Sequence, residues 1–542
     1  MASTGDGPAI HHEGTVTSID VSERGDVEKL KGGSLGIVTV LFLCVTGSAP
    51  LAVFMFNVPF SVGYGNELGT PAGFLFATVV LTIFSVGYVQ MARKLSAAGG
   101  MFTYVSHGLG RPLGLMSGVS LAAAYTLFGA SLIGGFAWFL QVSLHKGFLD
   151  VVPSVDIPWI YLALAGTVGV MLLGYFDIKL SAQILGVALI CELVVILTFT
   201  IGVFVQGGAS GVSVDPVLPW NAFKGVAFGL GIFIAFWSWV GFEAAPNYAE
   251  ESRNPHRTIP IAVYTSCVGV GVLYTLASWA SVTSYGPANQ AFEALQSGST
   301  TVFGGNVPVD STYFNVTAAN QLIGWVLGSA MLYFIITGAF ACASALNNAG
   351  LRYTYSLGRE GLLPRVLGKT HPTHKTPHMA VLFQGGITAL ICLAFWFFNH
   401  TMIEVYYWIA VQGVIWIILV QALTSLSVWV YFRREHPSEM HWWKTMLAPW
   451  IGFIAQLVVL YLCYNQLTSL GGGTAIYVEK LFTIGPWSLG LFDWHFKLEM
   501  NWLGVIGILV PVSGLLYAYY LRASDRAKYE VVGRFINEGV VD

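Results

Sequence analysis

Charged residues are scarce in this chain, and their scarcity excludes most soluble architectures. Asp, Glu, Lys and Arg make up 10% of the 542 residues and hydrophobic residues 55%, whereas soluble domains carry roughly 25% charged residues. The formal net charge of -3 is too small to favour a nucleic-acid partner or a strongly basic surface module. Lipid is therefore the expected solvent for most of the chain.

Residue patterns typical of metal or disulfide sites are also lacking. The six cysteines stand far apart in apolar runs with no C-x-x-C pair, which predicts buried packing residues. The twelve histidines show no H-E-x-x-H or similar ligand spacing. We therefore expect neither a metal nor another cofactor. An enzyme would need clustered Ser, His and carboxylate residues, and the short basic loops do not offer them.

Long apolar runs are what the sequence has instead. Crossing a hydrocarbon core takes about 20 helical residues, and runs of this length recur from Leu35 to Leu521. They are continuously apolar, which favours helices over the alternating strands of a barrel. We predict twelve membrane spans, at residues 35–58, 71–93, 112–143, 158–176, 180–206, 222–247, 259–285, 318–348, 378–398, 403–432, 446–470 and 501–522.

The distribution of basic residues predicts the topology. Twelve spans leave both termini on one side, and the positive-inside rule assigns that side to the cytoplasm, because 21 of the 25 Lys and Arg residues then lie there. Residues 1–31 lack the apolar core of a signal peptide and are predicted to be a disordered tail. The outer connection 286–317 contains Asn315-Val316-Thr317, a weak match to a glycosylation sequon.

Span 1 carries Gly47-Ser48-Ala49-Pro50 near its middle. Glycine is flexible there, and proline removes an amide donor and clashes with the preceding turn. These residues predict a break in the helix. The alternative is an ordinary proline kink, which transmembrane helices tolerate.

Span 6 has a second flaw, at Phe236-Trp237-Ser238-Trp239-Val240-Gly241-Phe242-Glu243. Transporters built from inverted repeats place discontinuous helices at corresponding positions in their two halves, with the solute site between them. Freed amides at a half-helix end attract a carboxylate, and freed carbonyls attract an ammonium group or a cation. A zwitterion suits such a pair of breaks.

Few ionisable residues lie within the spans, where each costs about 3 kcal/mol or more. Glu192 lies deep in span 5 and Glu243 in span 6. For both we predict a role in proton coupling, gating or solute contact, with a structural hydrogen bond as the alternative. Glu404, near the outer end of span 10, is predicted to be an interfacial charge.

Four motifs follow one another along the chain. The first is Gly47-Ser48, at the break in span 1. The second leads into span 3 and reads Ala98-Gly99-Gly100-Met101-Phe102-Thr103-Tyr104, followed by Gly110 and Gly114. The third is the flaw in span 6, which is followed by Glu250-Glu251-Ser252-Arg253-Asn254-Pro255-His256-Arg257-Thr258-Ile259-Pro260. The fourth follows span 8 and reads Gly358-Arg359-Glu360-Gly361-Leu362-Leu363-Pro364, with Thr376-Pro377 downstream. In this order they resemble the motifs of the amino acid-polyamine-organocation (APC) permeases. The resemblance covers the first ten spans, from about Leu35 to Arg434.

The resemblance implies an all-α integral membrane fold of twelve transmembrane helices, with a five-plus-five inverted repeat and two extra helices. It also implies alternating access and a substrate bound between helices 1, 3, 6, 8 and 10. The corresponding divisions are a tail 1–34, a first repeat 35–206, a second repeat 222–432, helices 11 and 12 in 446–522, and a tail 523–542.

The resemblance also assigns site residues. Ser48 and Ala49 would offer amides to a substrate carboxylate, carbonyls around Phe236 to Ser238 would face its amino group, and Trp237 matches the aromatic gate over the bound substrate. The full predicted substrate-binding set is Gly47, Ser48, Ala49, Phe236, Trp237, Ser238, Trp239 and Gly241, with Glu192 and Glu243 as coupling or gating residues.

Two positions depart from the family pattern. The first break reads Gly-Ser-Ala-Pro rather than Gly-Ser-Gly, so Pro50 withdraws an amide that other members could use. Glu192 stands where proton-coupled relatives carry a lysine. A buried carboxyl could still exchange a proton, but the sign of the local charge is reversed.

The function expected is therefore a secondary active transporter of amino acids across the plasma membrane, coupled to protons, with sodium as the alternative ion. An amine or polyamine permease or exchanger is the alternative function. Aromatic residues in span 6 favour a neutral apolar or aromatic amino acid, whereas Glu192 and Glu243 would favour an amine or polyamine through charge neutralisation. The same aromatic residues could instead be packing residues. A channel or a solute sensor on the same fold is a further alternative, although a sensor usually carries a soluble output domain.

Overall fold

A computed structural model describes residues 29–146, 156–176, 178–225, 227–285, 314–467 and 502–536, and short strands at 19–20, 299–302, 305–308, 476–478 and 498–500. Within these residues, eleven helices are long and apolar enough to cross a membrane. A twelfth apolar helix, Trp159–Tyr175, has 17 residues and lies where span 4 is predicted. The prediction of an all-helical multi-pass membrane protein is confirmed. The count of twelve crossings stays a prediction.

We number the helices by the spans that they match. Their bounds agree with the predicted ones to within a few residues at most ends, because a membrane-spanning helix is defined by the length of its apolar run. The twelve helices are Ile37–Tyr64, Thr70–Lys94, Arg111–Lys146, Trp159–Tyr175, Ile178–Gln206, Phe228–Glu251, Pro255–Tyr285, Trp325–Arg359, His378–Phe397, Met402–Glu435, Trp442–Tyr464 and Trp502–Ser524.

Helix 8 is the clearest correction to the predicted spans. The predicted span 318–348 covers parts of two helices: a short helix, Phe314–Ile323, and helix 8, which begins at Trp325. We call the short helix the outer helix, after the predicted outer connection 286–317 in which it begins. The two helices are separated by Gly324, whose φ of +78° suits glycine alone. Helix 8 then continues to Arg359, eleven residues beyond the predicted end, because its polar residues there are buried against other helices instead of forming a loop.

The sequon residue Asn315 lies in the outer helix. The Asn315 side chain is 1% exposed, and its amide nitrogen donates a hydrogen bond to the carbonyl oxygen of Phe54 in helix 1. A buried and bonded amide is not available to a glycosyltransferase. The sequence match therefore does not mark a glycosylation site in this fold.

Both ends of the described chain meet at one end of the helix bundle, which we call the terminal face. Strand Ile19–Asp20 pairs in parallel with strand Phe535–Ile536. The shared face agrees with an even number of crossings. Most of the predicted tail 1–34 and of the outer connection 286–317 lies outside the described residues.

The lateral surface of the bundle is apolar, as expected for a surface in contact with lipid. Large side chains that are more than two thirds exposed include Val205 of helix 5, Phe397 of helix 9 and Trp325 of helix 8. All six cysteines are free; five are buried and Cys191 is half-buried, which fits the predicted packing role. Glu404 lies in the first turn of helix 10 and forms a reciprocal capping box with Thr401, as suits a charge at a helix end.

Candidate functional site

Helices 1 and 6 are both interrupted, and their interruptions touch. Helix 1 breaks at Ser48 and at Ala49, which has a left-handed backbone with φ of +47°. Helix 6 breaks after Trp237, and Gly241 has φ of +120°. A Cβ atom on Gly241 would lie 2.6 Å from the carbonyl carbon of Gly47. Only a glycine permits this approach, so the two predicted flaws form one structural feature.

A small cavity of about 20 Å³ lies beside the paired breaks. A cavity of this size holds about one water molecule, so a larger solute would have to widen it. The five helices that the resemblance implies all contribute to its lining. The lining residues are Gly47, Ser48, Ala49, Ala52, Val53, Asn57, Phe128, Ser131, Leu132, Trp237, Val240, Cys342, Leu346 and Tyr406.

Stacked aromatic rings cover the cavity on the side opposite the terminal face. The ring of Tyr406 in helix 10 stacks on Trp237, with centroids 5.8 Å apart, and on Phe56, with centroids 4.8 Å apart. The backbone carbonyl of Tyr406 accepts a hydrogen bond of 2.6 Å from the Ser131 hydroxyl of helix 3. Trp237 therefore lies between the cavity and its stacked neighbours, and its role as an aromatic gate stays a prediction.

Half of the predicted substrate-binding set lines the cavity. Gly47, Ser48, Ala49 and Trp237 do so, whereas Phe236, Ser238, Trp239 and Gly241 lie behind the lining. The Trp239 indole donates to the carbonyl of Cys267 in helix 7, 3.1 Å away. Ser238 is linked to the cavity through Asn57, whose side-chain amide donates to its hydroxyl across 2.9 Å.

The backbone amides at the first break already have partners within the chain. The Ser48 N–H donates to the carbonyls of Cys44 and Val45, and the Ala49 N–H to that of Thr46. A substrate carboxylate would have to replace these bonds. The predicted carboxylate contact therefore stays a prediction, and it requires helix 1 to change its winding on binding.

Glu192 of helix 5 lies directly against the break in helix 1. Its carboxylate accepts a hydrogen bond of 3.1 Å from the N–H of Leu51, in the first turn after the break, and its side chain is 1% exposed. A Cβ atom on Gly338 would lie 2.8 Å from the Glu192 carboxyl carbon, so helix 8 packs on it without an intervening side chain. Glu192 thus joins helices 1, 5 and 8 from behind the cavity.

Glu243 is held by a separate set of bonds below the second break. One carboxylate oxygen accepts a hydrogen bond of 2.8 Å from the Tyr125 hydroxyl, and the other accepts one of 2.9 Å from the Gly241 N–H. The hydroxyl of Tyr88 donates to the Glu243 backbone carbonyl. Glu243 therefore fixes the geometry of the break and links it to helices 2 and 3.

Two buried ion pairs close the terminal face beneath these networks. Arg352 of helix 8 bonds Glu251 of helix 6, and Arg359 bonds Glu250, each with a nitrogen-to-oxygen distance of 2.8 Å. The predicted span 318–348 ends before both arginines and so places them in a loop. Both are helical, with side chains that are 1% and 3% exposed, and their acids are the Glu-Glu pair of the motif after span 6. Opposite charges in the two motifs, at Glu250 and Arg359, were the signal that could have revealed one of these pairs.

The carboxyl-terminal segment, residues 525–536, packs on the same face. The Gly533 N–H donates to the Glu360 carboxylate across 2.8 Å, and the Gly533 carbonyl accepts a hydrogen bond of 3.0 Å from His107. A Cβ atom on Gly533 would lie 2.4 Å from that of Ser106. The guanidinium of Arg359 lies over the ring of Phe535. The segment therefore covers the Arg359 ion pair.

Comparison with known proteins identifies the family of this chain. A family model described as amino acid permease matches residues 35–486. The chain belongs to this amino acid permease family. The predicted resemblance to APC permeases is thereby confirmed, and the permease is a transporter rather than an enzyme.

Individual relatives are distant and differ in what they carry. The permease is 25% identical over 341 residues to the branched-chain amino acid permease BcaP of Bacillus subtilis, covering 60% of this chain and 67% of that one. It is 24% identical over 422 residues to the methylthioribose transporter of Bacillus subtilis, covering 74% and 83%. It is 23% identical over 371 residues to the low-affinity putrescine importer PlaP of Escherichia coli, covering 66% and 74%.

Proposed function

We propose that this permease is a secondary active transporter that carries a neutral amino acid across the plasma membrane by alternating access. The observation that carries the proposal is the central cavity, whose fourteen described lining residues include no acidic or basic side chain. A zwitterion has no net charge and is held by amides and carbonyls at broken helix ends. A polyamine would instead need carboxylates to balance its charge in a low dielectric.

The cavity also favours an apolar or aromatic side chain on the substrate. Phe128, Trp237 and Tyr406 present aromatic rings, and Leu132, Val240 and Leu346 present aliphatic groups. An apolar substrate side chain placed among them would gain roughly 25 cal/mol for each Å² that it buries. BcaP, a branched-chain amino acid permease by name, is a relative with a substrate of this chemistry.

Proton coupling through Glu192 and Glu243 is part of the proposal. Glu192 is buried and bonded to the first turn after the break in helix 1. A negative charge is favourable at the amino-terminal end of a helix, so uptake of a proton by Glu192 would weaken its hold on this half of the helix. Both termini, and hence the Glu250–Arg359 and Glu251–Arg352 pairs, would face the cytoplasm. Helices 1–5 and 6–10 would act as the two repeats.

Uptake into proteoliposomes tests the proposal. A panel of labelled amino acids, putrescine and methylthioribose is presented with and without an inward proton or sodium gradient. We expect accumulation of a neutral apolar or aromatic amino acid that requires the proton gradient. Flow of ions without accumulation of any solute would contradict the proposal in favour of a channel.

An amine or polyamine permease is the second candidate. The putrescine importer PlaP is a relative at similar identity, and Glu192 already occupies the Leu51 amide, which leaves one fewer donor for a substrate carboxylate. Accumulation of putrescine in the same panel, without uptake of any amino acid, would favour this candidate.

A further inference from the structure

Helix 1 contains one wide turn between the break and its outer end. Residues Val53–Asn57 form a π-helix, in which the N–H of Val58 bonds the carbonyl of Val53, five residues earlier. π-turns are rare and frequently lie at functional sites. Each inserts about one residue into the helix, so the residues that follow are rotated by about 100° relative to an uninterrupted α-helix.

The wide turn leaves the carbonyl of Phe54 without a donor in its own helix. The α-helical donor for Phe54 would be the N–H of Val58, which is used by Val53. The π-helical donor would be residue 59, which is a proline and has no N–H. Buried backbone carbonyls are almost always paired. The sequence of helix 1 therefore requires a donor from elsewhere if the turn is to stay π-wound.

Asn315 of the outer helix supplies that donor. Its side-chain amide nitrogen bonds the Phe54 carbonyl, and this assignment of the amide is the only one that pairs a donor with an acceptor. The other end of the side chain, its carbonyl oxygen, is buried without a hydrogen-bond partner among the described residues. A buried oxygen without a partner costs free energy. Packing alone therefore does not explain why the Asn315 amide is buried against Phe54.

The outer helix is a firm base for this contact. The residue before Asn315 is Phe314, whose ring stacks on that of Tyr285 with centroids 4.1 Å apart. The Tyr285 hydroxyl also bonds the Phe314 backbone carbonyl. Helix 7 thus fixes the start of the outer helix, and the hydrogen bond from Asn315 to Phe54 connects the outer helix to helix 1.

The π-turn determines which side chains of helix 1 face the substrate. Ala52 and Val53 at its start and Asn57 at its end all line the cavity. Asn57 also donates to Ser238 at the break in helix 6, across 2.9 Å. If the turn relaxed to an α-helix, the rotation would carry Asn57 away from both. The register of a single turn therefore links the outer helix to the cavity.

We infer that Asn315 is a positioning residue for the substrate site: its amide keeps helix 1 π-wound, so that Asn57 faces the cavity, although Asn315 itself does not line the cavity. The inference deepens the proposed function and rests on it for its effect on substrate binding. Its effect on the shape of helix 1 is independent of any substrate.

The first test measures the shape of helix 1 directly. Nitroxide labels are placed at two exposed positions, 64 at the end of helix 1 and 220 in the connection before helix 6, and their separation is measured by double electron–electron resonance. We expect Asn315→Ala to shift or broaden the distance distribution. The matched control, Asn320→Ala, removes the same group from an exposed position on the same helix and should leave it unchanged.

The second test measures substrate affinity. Loss of the amide should raise KM by on the order of tenfold while the maximal rate changes little, and Asn57→Ala should have a similar effect. The double variant should be no worse than the worse single one, because both act through the same turn. Asn320→Ala should keep the wild-type KM.

The isosteric variant Asn315→Asp separates positioning from packing. It keeps the volume, but its carboxyl donates to Phe54 only when it carries a proton. Its KM, compared with that of Asn315→Ala at each pH, should move toward the wild-type value as the medium is acidified. An unchanged label distance in Asn315→Ala would overturn the inference whatever uptake shows. A shifted distance with no solute bound would leave the inference standing and overturn the proposed function instead.

Discussion

The carboxylate of Glu192 accepts a hydrogen bond from the N–H of Leu51 across 3.1 Å. This bond places the acid of helix 5 on the first turn after the break in helix 1. The variant Glu192→Gln keeps an acceptor for Leu51 but exchanges no proton. We expect it to fold and to exchange labelled for unlabelled substrate at equilibrium, but to lose proton-driven accumulation, measured in proteoliposomes with an inward proton gradient.

The control for this prediction is Glu192→Leu, which removes the acceptor as well. It leaves the Leu51 amide unpaired and should reduce exchange too. Proton-driven accumulation by Glu192→Gln at the wild-type level would remove Glu192 from the coupling mechanism and leave Glu243 as the remaining candidate.

Gly241 is where helices 1 and 6 come closest, and its replacement should disable transport. Alanine there would have to adopt a φ of +120°, and its Cβ atom would lie 2.6 Å from the Gly47 carbonyl carbon. Strain of this kind costs of the order of 1–3 kcal/mol before any movement of helix 1. We expect Gly241→Ala to retain under about a tenth of the wild-type uptake rate, since a loss of 1.4 kcal/mol already amounts to tenfold.

A second glycine offers the matched control. A Cβ atom on Gly269 of helix 7 would meet no atom within 4 Å, so Gly269→Ala should keep both yield and uptake. Full uptake by Gly241→Ala would show that the two breaks do not need their close contact.

The sequence predicted the positions of the helices well because apolar length is a local property. It also predicted the break at Gly47-Ser48-Ala49-Pro50, because proline and glycine act on the backbone where they stand. The end of helix 8 was missed for the converse reason. Its buried arginines look like loop charges until their partners Glu250 and Glu251, about a hundred residues earlier, are known.

The cavity lining was only half predictable for a similar reason. Asn57, Phe128 and Tyr406 lie in ordinary apolar runs, and a continuously apolar span does not show which side chains face a cavity and which face lipid. The π-turn at Val53–Asn57 also rotates the helix locally, and it depends on the donor from Asn315. Such a contact between distant segments exists only in the folded chain.

The ion pair between Arg359 and Glu250 should add little net stability compared with two apolar side chains, but the loss of one partner alone should be strongly destabilising. Removing one partner of a buried pair leaves the other charge uncompensated, at a cost of roughly 3–5 kcal/mol. We therefore expect Arg359→Met to lower the melting temperature of the purified protein sharply. The double variant Arg359→Met with Glu250→Leu should recover most of the loss.

The exposed pair of Lys94 and Glu439 is the control for this prediction. Its side chains are 30% and 48% exposed, and such surface pairs contribute about 0–1 kcal/mol. Lys94→Met should hardly change the melting temperature. If Arg359→Met were equally harmless, the pair on the terminal face would not be buried in solution.

Docking of the carboxyl-terminal segment should depend on pH through two groups that contact Gly533. Burial, only partly opposed by the Gly533 N–H and by Arg359, raises the pKa of Glu360 from 4.5 to about 8. Burial lowers the pKa of His107 from 6.5 to about 4, against the favourable bond to the Gly533 carbonyl. In the docked state Glu360 thus holds its proton more tightly, and His107 less tightly, than in water.

The signs of the two effects follow from proton counting. Between pH 4.5 and 8 the docked state holds one more proton at Glu360, so docking weakens as the pH rises. Between pH 4 and 6.5 it holds one fewer at His107, so docking strengthens as the pH rises. The two effects oppose each other from about pH 4.5 to 6.5, and above 6.5 only Glu360 acts. We expect docking to be nearly constant between pH 4.5 and 6.5 and to weaken from there up to pH 8.

Double electron–electron resonance between nitroxides at positions 527 and 369 checks this expectation. Both positions are exposed, one on the carboxyl-terminal segment and the other in the connection after helix 8. A single short distance at pH 6 should be joined by longer distances at pH 8. The variant Glu360→Gln keeps an acceptor for the Gly533 N–H but carries no charge, so its distances should not change over this range. If the wild-type distribution were the same at pH 6 and pH 8, Glu360 would not be the group that links docking to pH.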